Sequence, residues 1–261
     1  MMERSPQIRL LGTISELRQA DALLRTVWGS ESGDAPMPLD TMRALAHTGG
    51  YVAGALSGET LVGVAVGFVT AGGSLHSHVA GVLPGQQGRG IGLALKQHQR
   101  QWAAETGLAC ISWTFDPLIR RNAYFNLHRL GAHAQEYLPD FYGPINDEIN
   151  GGDLTDRLFV TWPVPGCATP PPATDPGLEL AEPVLVSGPG EQPVRHAATG
   201  PLLRCAVPED AEALRRRDFD AARAWRLALR EALGGALADG YRITGFDRSG
   251  WYLLSRKDGS A

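Results

Sequence analysis

The chain has 261 residues, of which 43% are hydrophobic and 20% are charged, and its formal net charge at pH 7 is −4. This length and composition indicate a globular protein with one large domain or two modest ones. The negative net charge gives no general attraction to nucleic acid or to an anionic membrane, so we expect a small-molecule partner.

The apolar periodicity predicts alternating strands and helices through residue 165. In chain order these are a strand at 7–11, a helix opened by Ser15, a short helix within 38–50 and a hairpin that turns at Ser57-Gly58. A strand at 75–83, a helix from about Gly90 to Glu105, a strand at 109–115, a helix at 120–131 and a strand at 156–164 follow. This order predicts an α/β fold with a sheet of mixed direction.

The composition changes after this core. Residues 166–200 are rich in proline, which predicts a surface linker or stiff spacer. Residues 201–261 indicate a strand, one long helix from about Glu209 to Ala238 and a hairpin. A unit of about 60 residues rarely forms a sufficient core alone, so we expect it to dock on residues 1–165 or on a second chain.

The predicted long helix has two unlike faces. Phe219, Trp225 and Leu229 share one face, which we expect to be buried. Arg226 and Arg230 supply the other face, which we expect to be solvated.

The spacing of the cysteines and the N-terminal residues indicate the cellular compartment. Cys110, Cys167 and Cys205 lie far apart without CxxC spacing, so we expect free thiols rather than disulfides or a zinc site. The first residues lack the apolar core of a signal peptide, and no apolar run is long enough to cross a bilayer. We therefore expect a cytoplasmic location.

A glycine-rich stretch joins a predicted strand to a predicted helix. Residues 79–96 read VAGVLPGQQGRGIGLALK. Bare backbone amides at a helix N-terminus suit a phosphate or pyrophosphate. The stretch does not satisfy G-x-G-x-x-G, because the third glycine position falls on Leu93 or Leu95. It is not a Walker loop either, because Gly90 is followed by Ile91 and Gly92.

The same stretch fits V-x-P-x-x-[QR]-x-x-G-x-[GA] through Val82, Pro84, Gln87, Gly90 and Gly92. In this it resembles the GNAT superfamily of acyl-CoA-dependent N-acyltransferases, as does the order of elements around it. The resemblance implies a mixed, mostly antiparallel sheet flanked by helices, to which a C-terminal strand-helix-strand extension is added here. It also implies acetyl-CoA or another acyl-CoA as cosubstrate, with no metal.

The resemblance implies roles for the loop. Amides from Gln87 to Gly92, including those of Gly88, Gly90 and Ile91, would hold the CoA pyrophosphate, with Arg89 as an exposed charge partner. Backbone groups of Val82 and Leu83 would pair with the pantetheine amides and polarise the thioester carbonyl. Asn122 and Phe125, on the later helix, are further cofactor-binding candidates, although Asn122 and Asp116 are also suited to cap that helix.

A base must take a proton from the attacking amine. Strict alternation along the predicted strand puts His76 and His78 on one face and Ser77, Val79 and Gly81 on the other. His78, and then His76, are the candidate bases, since imidazole titrates near neutral pH. A histidine that satisfies a polar core position or only binds substrate is an equal alternative, and a metal pair would lack a third ligand.

The acid is where the sequence departs from the resembled family. Many of its members carry N-x-x-A-x-x-x-Y-x-x-x-G-F, but this chain has Arg120, Ala123 and Leu127 at the first three of these positions. The usual tyrosine is missing. Tyr124 lies one turn earlier and is the nearest candidate. Tyr137, Tyr142, water or the free thiolate are alternatives.

The block WTFDPLIRRNAYFNLHRLGA, residues 113–132, resembles a subgroup of larger bacterial predicted acetyltransferases. Some members accompany N-acylamino-acid racemases and use succinyl-CoA. This resemblance implies that Arg120 or Arg121 binds a carboxylate, with Trp113 as a further substrate contact. A solvated basic helix N-terminus is the plainer interpretation of both arginines.

The sequence thus predicts transfer of an acetyl or succinyl group from acyl-CoA to a primary amine of a small molecule, with an amino acid as one candidate. Direct attack in a ternary complex is expected, and a homodimer is one assembly to test. The alternatives are a non-catalytic acyl-CoA-binding regulatory module and acetylation of a protein or peptide.

Overall fold

The computed structural model describes residues 6–29, 36–143, 151–164 and 178–256. These residues form two compact units. The first contains the described residues up to Trp113 together with residues 163–164. The second contains residues 114–143, 151–162 and 178–256. Cys167 and most of the predicted linker lie outside the described residues.

The first unit holds five strands and three helices in the predicted order. They are β1 (Gln7–Leu10), α1 (Ile14–Trp28), α2 (Leu39–His47), β2 (Tyr51–Ser57), β3 (Thr60–Val69), β4 (Leu75–Val82), α3 (Ile91–Glu105) and β5 (Cys110–Phe115), whose last two residues fall in the second unit. Strands β1 to β4 pair as antiparallel neighbours, and β4 pairs with β5 in parallel.

Helices cover both faces of this sheet. The apolar side of α1, including Leu17 and Leu24, packs with Val64 of β3 in one buried cluster. A Cβ at the adjacent Gly63 would instead meet Ile91 and Leu95 of α3. Adjacent residues of a strand point to opposite faces, so α1 and α3 lie on opposite sides. Thr13 rather than Ser15 begins α1, through a capping box with Glu16.

The second unit combines residues 114–162 with the C-terminal region. Its elements are α4 (Arg120–Ala123) with a π turn (Tyr124–Arg129), β6 (His133–Leu138), β7 (Arg157–Pro163, whose last residue falls in the first unit), β8 (Glu182–Ser187), β9 (Pro193–Arg195), β10 (Leu202–Ala206), α5 (Ala211–Arg217), α6 (Phe219–Leu229) with a π turn (Arg230–Gly234), α7 (Gly235–Ala238), β11 (Tyr241–Phe246) and β12 (Trp251–Arg256). Strands β6 and β7 pair antiparallel, and a second sheet has the order β11-β12-β10-β8-β9.

Two sequence predictions about this region were wrong. Residues 182–195 lie in the predicted linker but form β8 and β9, because β8 finds a parallel partner in β10. The predicted single helix is broken at Asp218, whose backbone is extended and whose side chain accepts the Ala221 N–H. Aspartate is a favoured N-cap residue because its side chain accepts a backbone N–H of the first turn, so a new helix begins after Asp218.

The predicted faces of that helix also need correction. Trp225 and Leu229 are fully buried, but Phe219 is 37% exposed. Arg226, which we expected in water, is only 1% exposed. Burial of an arginine is tolerated when carboxylates pair with it, and Asp116 and Asp153 do so here.

Candidate active site

The loop between β4 and α3 is held open by glycines. Gly85, Gly88 and Gly90 have φ angles of 79°, 78° and 80°, a region that side chains with a Cβ rarely adopt. Gly90 is the N-cap of the 15-residue helix α3. A Cβ at Gly90 or Gly92 would meet nothing within 4 Å, so the backbone here borders open space.

This geometry suits an anion. The first amides of an α-helix have no intrahelical acceptor, and the helix dipole adds partial positive charge at the same place. A pyrophosphate would therefore be stabilised at the start of α3, beside Gly90. Arg89 is exposed and donates to Gln86 Oε1 at 3.1 Å.

The backbone of Leu83 is less available than the sequence predicted. Its N–H donates to the Val62 carbonyl at 3.0 Å, and its own carbonyl accepts the Gln86 N–H at 3.0 Å. The Leu83 N–H cannot donate to a pantetheine amide or to a thioester oxygen as well. Val82, the last residue of β4, is paired with Gly63 of β3.

Strands β4 and β5 pair only briefly. Their ladder contains Leu75 with Ile111 and His76 with Ser112, although β4 runs on to Val82. Parallel strands that separate in this way leave polar backbone groups of β4 without a ladder partner on that side. An extended ligand chain could pair with β4 in this gap.

A β-bulge lies in β4 beside the gap. Val66 pairs with Val79 and Gly67 pairs with Ser77, which leaves His78 as the extra residue. Ser77 faces α3, whereas Val79 packs in the cluster with α1. The predicted common face for Ser77 and Val79 was therefore wrong, because the bulge reverses the alternation after Ser77.

The bulge keeps the two candidate bases close together. The ring centroids of His76 and His78 are 6.3 Å apart, and the ring of Phe68 lies 5.1 Å from the first and 6.0 Å from the second. His76 Nδ1 is 3.3 Å from Ser112 Oγ. Partial burial, helped by the charges of His78 and Lys96, lowers the pKa of His76 below its ordinary value. A neutral imidazole, the form that can accept a proton, is thereby favoured.

Lys96 of α3 is buried, although a lysine on an amphipathic helix is ordinarily solvent-exposed. Lys96 is 7% exposed, and its Nζ lies 2.8 Å from Ser77 Oγ and 3.8 Å from the ring centroid of Trp113. Burial lowers the pKa of Lys96 to about 7. Lys96 is three residues before Gln99 and seven before Ala103, both fully buried, so this helical spacing was the signal that could have found it.

Trp113 lies in the core of the first unit rather than at a surface. It is 4% exposed and its ring contacts the Lys96 ammonium. A direct contact between this ring and a substrate is therefore not supported by its position.

The remaining predicted site residues belong to the second unit. Arg121 binds the carboxylate of Glu212 through both terminal nitrogens, and Arg120 donates to the Arg248 carbonyl. Both border a cleft of about 150 Å³. The carboxylate predicted for Arg121 is thus already supplied from within the chain.

The candidate acid Tyr124 is half-buried, and its hydroxyl accepts a hydrogen bond from Arg248 Nε at 2.8 Å. Asn122 and Phe125 are half-buried on the same turn. The alternative acid Tyr137 donates instead to Asp156 at 2.7 Å, and burial followed by the Asp156 charge raises its pKa. Tyr142 is 3.2 Å from Thr114 Oγ1.

Asp116 does not cap the helix as predicted. Its side chain accepts the Leu118 N–H at 2.9 Å, while the N-cap of α4 is Ile119. The same carboxylate forms two hydrogen bonds with Arg226. The Asp116 carboxylate therefore stabilises a turn and an ion pair instead of capping α4.

Among the described residues, no group of three or more His, Cys, Asp or Glu side chains could hold a metal ion. Within those same ranges, every helix is too short or too polar to cross a membrane.

Comparison with known proteins defines the class. Residues 17–131 match the family model described as the Acetyltransferase (GNAT) family. The protein yncA from Salmonella typhimurium, solved with its cofactor acetyl-CoA, is 18% identical to this chain, with a TM-score of 0.51 over 64% of this chain and 98% of that one. The ribosomal-protein-S18-alanine N-acetyltransferase from Escherichia coli is 15% identical, with a TM-score of 0.48 over 64% and 97%. No curated protein matches the chain.

Residues 17–131 thus resemble the GNAT acetyltransferase family. The fold of the chain is the predicted one, a mixed α/β arrangement of mostly antiparallel sheets flanked by helices. The family match supports an acyl-CoA-dependent N-acyltransferase.

Proposed function

We propose that this enzyme transfers an acetyl or succinyl group from acyl-CoA to a primary amine of a small molecule, with amino acids among the acceptors. The observation that carries the proposal is the loop from Leu83 to Gly90. It presents bare amides at the N-terminus of α3, directly after a strand that separates from β5. A CoA pyrophosphate and an extended pantetheine arm fit these two features.

Direct attack requires a neutral amine close to the thioester and a group to take its proton. His76 and His78 lie beside the gap between β4 and β5, and the lowered pKa of His76 keeps it in the accepting form. We propose His78, at the bulge, as the base, with His76 as its neighbour or substitute. No covalent intermediate with the protein is required.

The acyl group and the acceptor can be found together. Calorimetric titration with acetyl-CoA and with succinyl-CoA measures binding, and a thiol-release assay over a panel of primary amines, amino acids included, measures turnover. We expect micromolar binding of at least one donor and turnover with at least one amine. Binding without turnover on any amine would favour the non-catalytic module, and absence of binding would overturn the proposal.

A further inference from the structure

Lys96 is a buried ammonium in contact with polar and aromatic side chains. Its Nζ donates to Ser77 Oγ at 2.8 Å and to Gln99 Oε1 at 3.4 Å, and it lies over the ring of Trp113. No carboxylate within the described ranges forms an ion pair with it. Burying an ammonium in this way is costly, and an apolar residue of similar volume would pack the same space at lower cost.

The position of Lys96 coincides with the separation of the two strands. His76 and Ser112 are the last paired residues, and Ser77 and Trp113 are the next along β4 and β5. Lys96 therefore contacts both strands at the point where the gap begins. From Ser77 to Val82 the strand extends about 16 Å, at about 3.3 Å per residue. A pantetheine arm that follows β4 from the glycine loop leads towards this point.

We propose that Lys96 and Ser77 together form the proton donor to the CoA thiolate that leaves during acyl transfer. This inference rests on the acyl transfer proposed above. Ser77 Oγ accepts a hydrogen bond from Lys96, so the Ser77 hydroxyl hydrogen remains available to a second acceptor. His76 lies on the face of the strand opposite Ser77.

The protons and electrons balance as follows. The amine nitrogen bonds to the acyl carbon, the carbon–sulfur bond breaks, and its electron pair stays on sulfur. The thiolate takes the Ser77 hydroxyl proton while the Ser77 oxygen takes one from the Lys96 ammonium. The products are the CoA thiol and a neutral Lys96 amine, and the amine proton of the acceptor passes to the imidazole base.

The direction of this transfer is favourable. Burial lowers the pKa of Lys96 to about 7, and an alkyl thiol such as that of cysteine has a pKa of about 8.5. Titratable groups on α3 and on the strands packed near it are Arg9, Tyr51, His76, His78, His98, Arg100, Glu105 and Cys110. Of these, His76 interacts electrostatically with Lys96. The positive charge of Lys96 lowers the pKa of His76, so protonation of both groups at once is disfavoured.

Bound CoA itself is the probe for the test. The full chain and its Lys96→Met variant are titrated with CoA by calorimetry, and thermal unfolding checks that the variant is folded. The ultraviolet absorbance of the thiolate then follows ionisation of the bound thiol against pH, with desulfo-CoA as the blank. We expect the acid-dissociation constant of the bound thiol, measured below pH 7 where Lys96 keeps its proton, to be about one tenth as large in Lys96→Met, because the neighbouring positive charge is gone.

A second variant guards against misfolding. Ser77→Ala keeps the lysine but removes the hydroxyl, and we expect it to decrease the same constant by about tenfold through loss of a hydrogen bond to a charged group. Equal constants in the folded variants and the unaltered chain would overturn this inference alone. Failure of the unaltered chain to bind CoA would overturn the proposed function as well, so the two failures are distinguishable.

Discussion

Replacement of Arg226 by methionine tests whether the ion-pair network stabilises the second unit. Arg226 is 1% exposed and bonds both carboxylate oxygens of Asp116, while its Nε and Nη2 contact Asp153 Oδ2 at 3.1 and 3.0 Å. Without Arg226 the two carboxylates share Arg215, 3.3 Å from Asp153 and 3.9 Å from Asp116, and loss of one partner of a buried pair costs about 3–5 kcal/mol. At about 2–4 °C per kcal/mol, the unfolding midpoint should fall by roughly 6–20 °C.

The loss should depend on pH. Burial alone would raise the pKa of Asp116, but the charge and hydrogen bonds of Arg226 outweigh it and hold that pKa below its usual range. A lowered carboxyl pKa contributes stability above the unfolded value of about 3.9 and loses it as pH falls towards the folded value. The difference between the two proteins should therefore be largest near neutral pH and shrink in acid.

Arg223→Met is the matched control, because Arg223 is an exposed arginine on the same helix. Its free energy of unfolding should change by less than about 0.5 kcal/mol. Differential scanning calorimetry at neutral and acid pH measures both variants. Equal midpoints for Arg226→Met and Arg223→Met at neutral pH would refute the reasoning.

Three further outcomes are expected. His78→Ala should lower kcat by about 10²- to 10⁴-fold. Because burial lowers the pKa of His78, the acid limb of kcat/KM in the unaltered enzyme should lie below pH 6.5, and a steady-state pH profile checks both. Truncation after Val164 should give insoluble protein, measured by the soluble fraction on expression, because apolar surface and unpaired carboxylates remain. Arg121→Ala should change the KM for succinyl-CoA by less than about twofold, since Arg121 is already paired with Glu212. A large rise in the KM for succinyl-CoA but not for acetyl-CoA would show that this ion pair opens to bind the donor.

Local sequence signals predicted the strands and helices of the first unit because these elements follow one another in the chain. The hairpin at Ser57-Gly58, the glycine loop and α3 each carry their own turn or capping residues. The bulge at His78 has no such signal, since a single extra residue leaves the composition of the strand unchanged. It nevertheless moved Ser77 and Val79 to opposite faces and so changed which residues meet α3.

Charged residues were the main source of error. Hydrophobic periodicity predicts that charged side chains such as Lys96 and Arg226 are solvent-exposed. Their burial depends on partners distant in sequence, Ser77 and Trp113 in one case and Asp116 and Asp153 in the other. Strand β8 was not predicted for a related reason. Its parallel partner β10 is separated from it in the chain by a turn and by β9, so no local pattern indicates the pairing.

The most direct test of the central claim is acetyl-CoA binding by Gly90→Glu beside Gly58→Glu. Both glycines have a positive φ and open space for a Cβ, so the backbone strain is similar, but Gly58 lies in the β2–β3 hairpin. A carboxylate at Gly90 would repel the pyrophosphate at the start of α3. By calorimetry we predict that Gly58→Glu binds as the unaltered chain does, while Gly90→Glu, folded, weakens binding by about tenfold or more. Equal affinity in both variants would contradict the assignment of this loop to acyl-CoA.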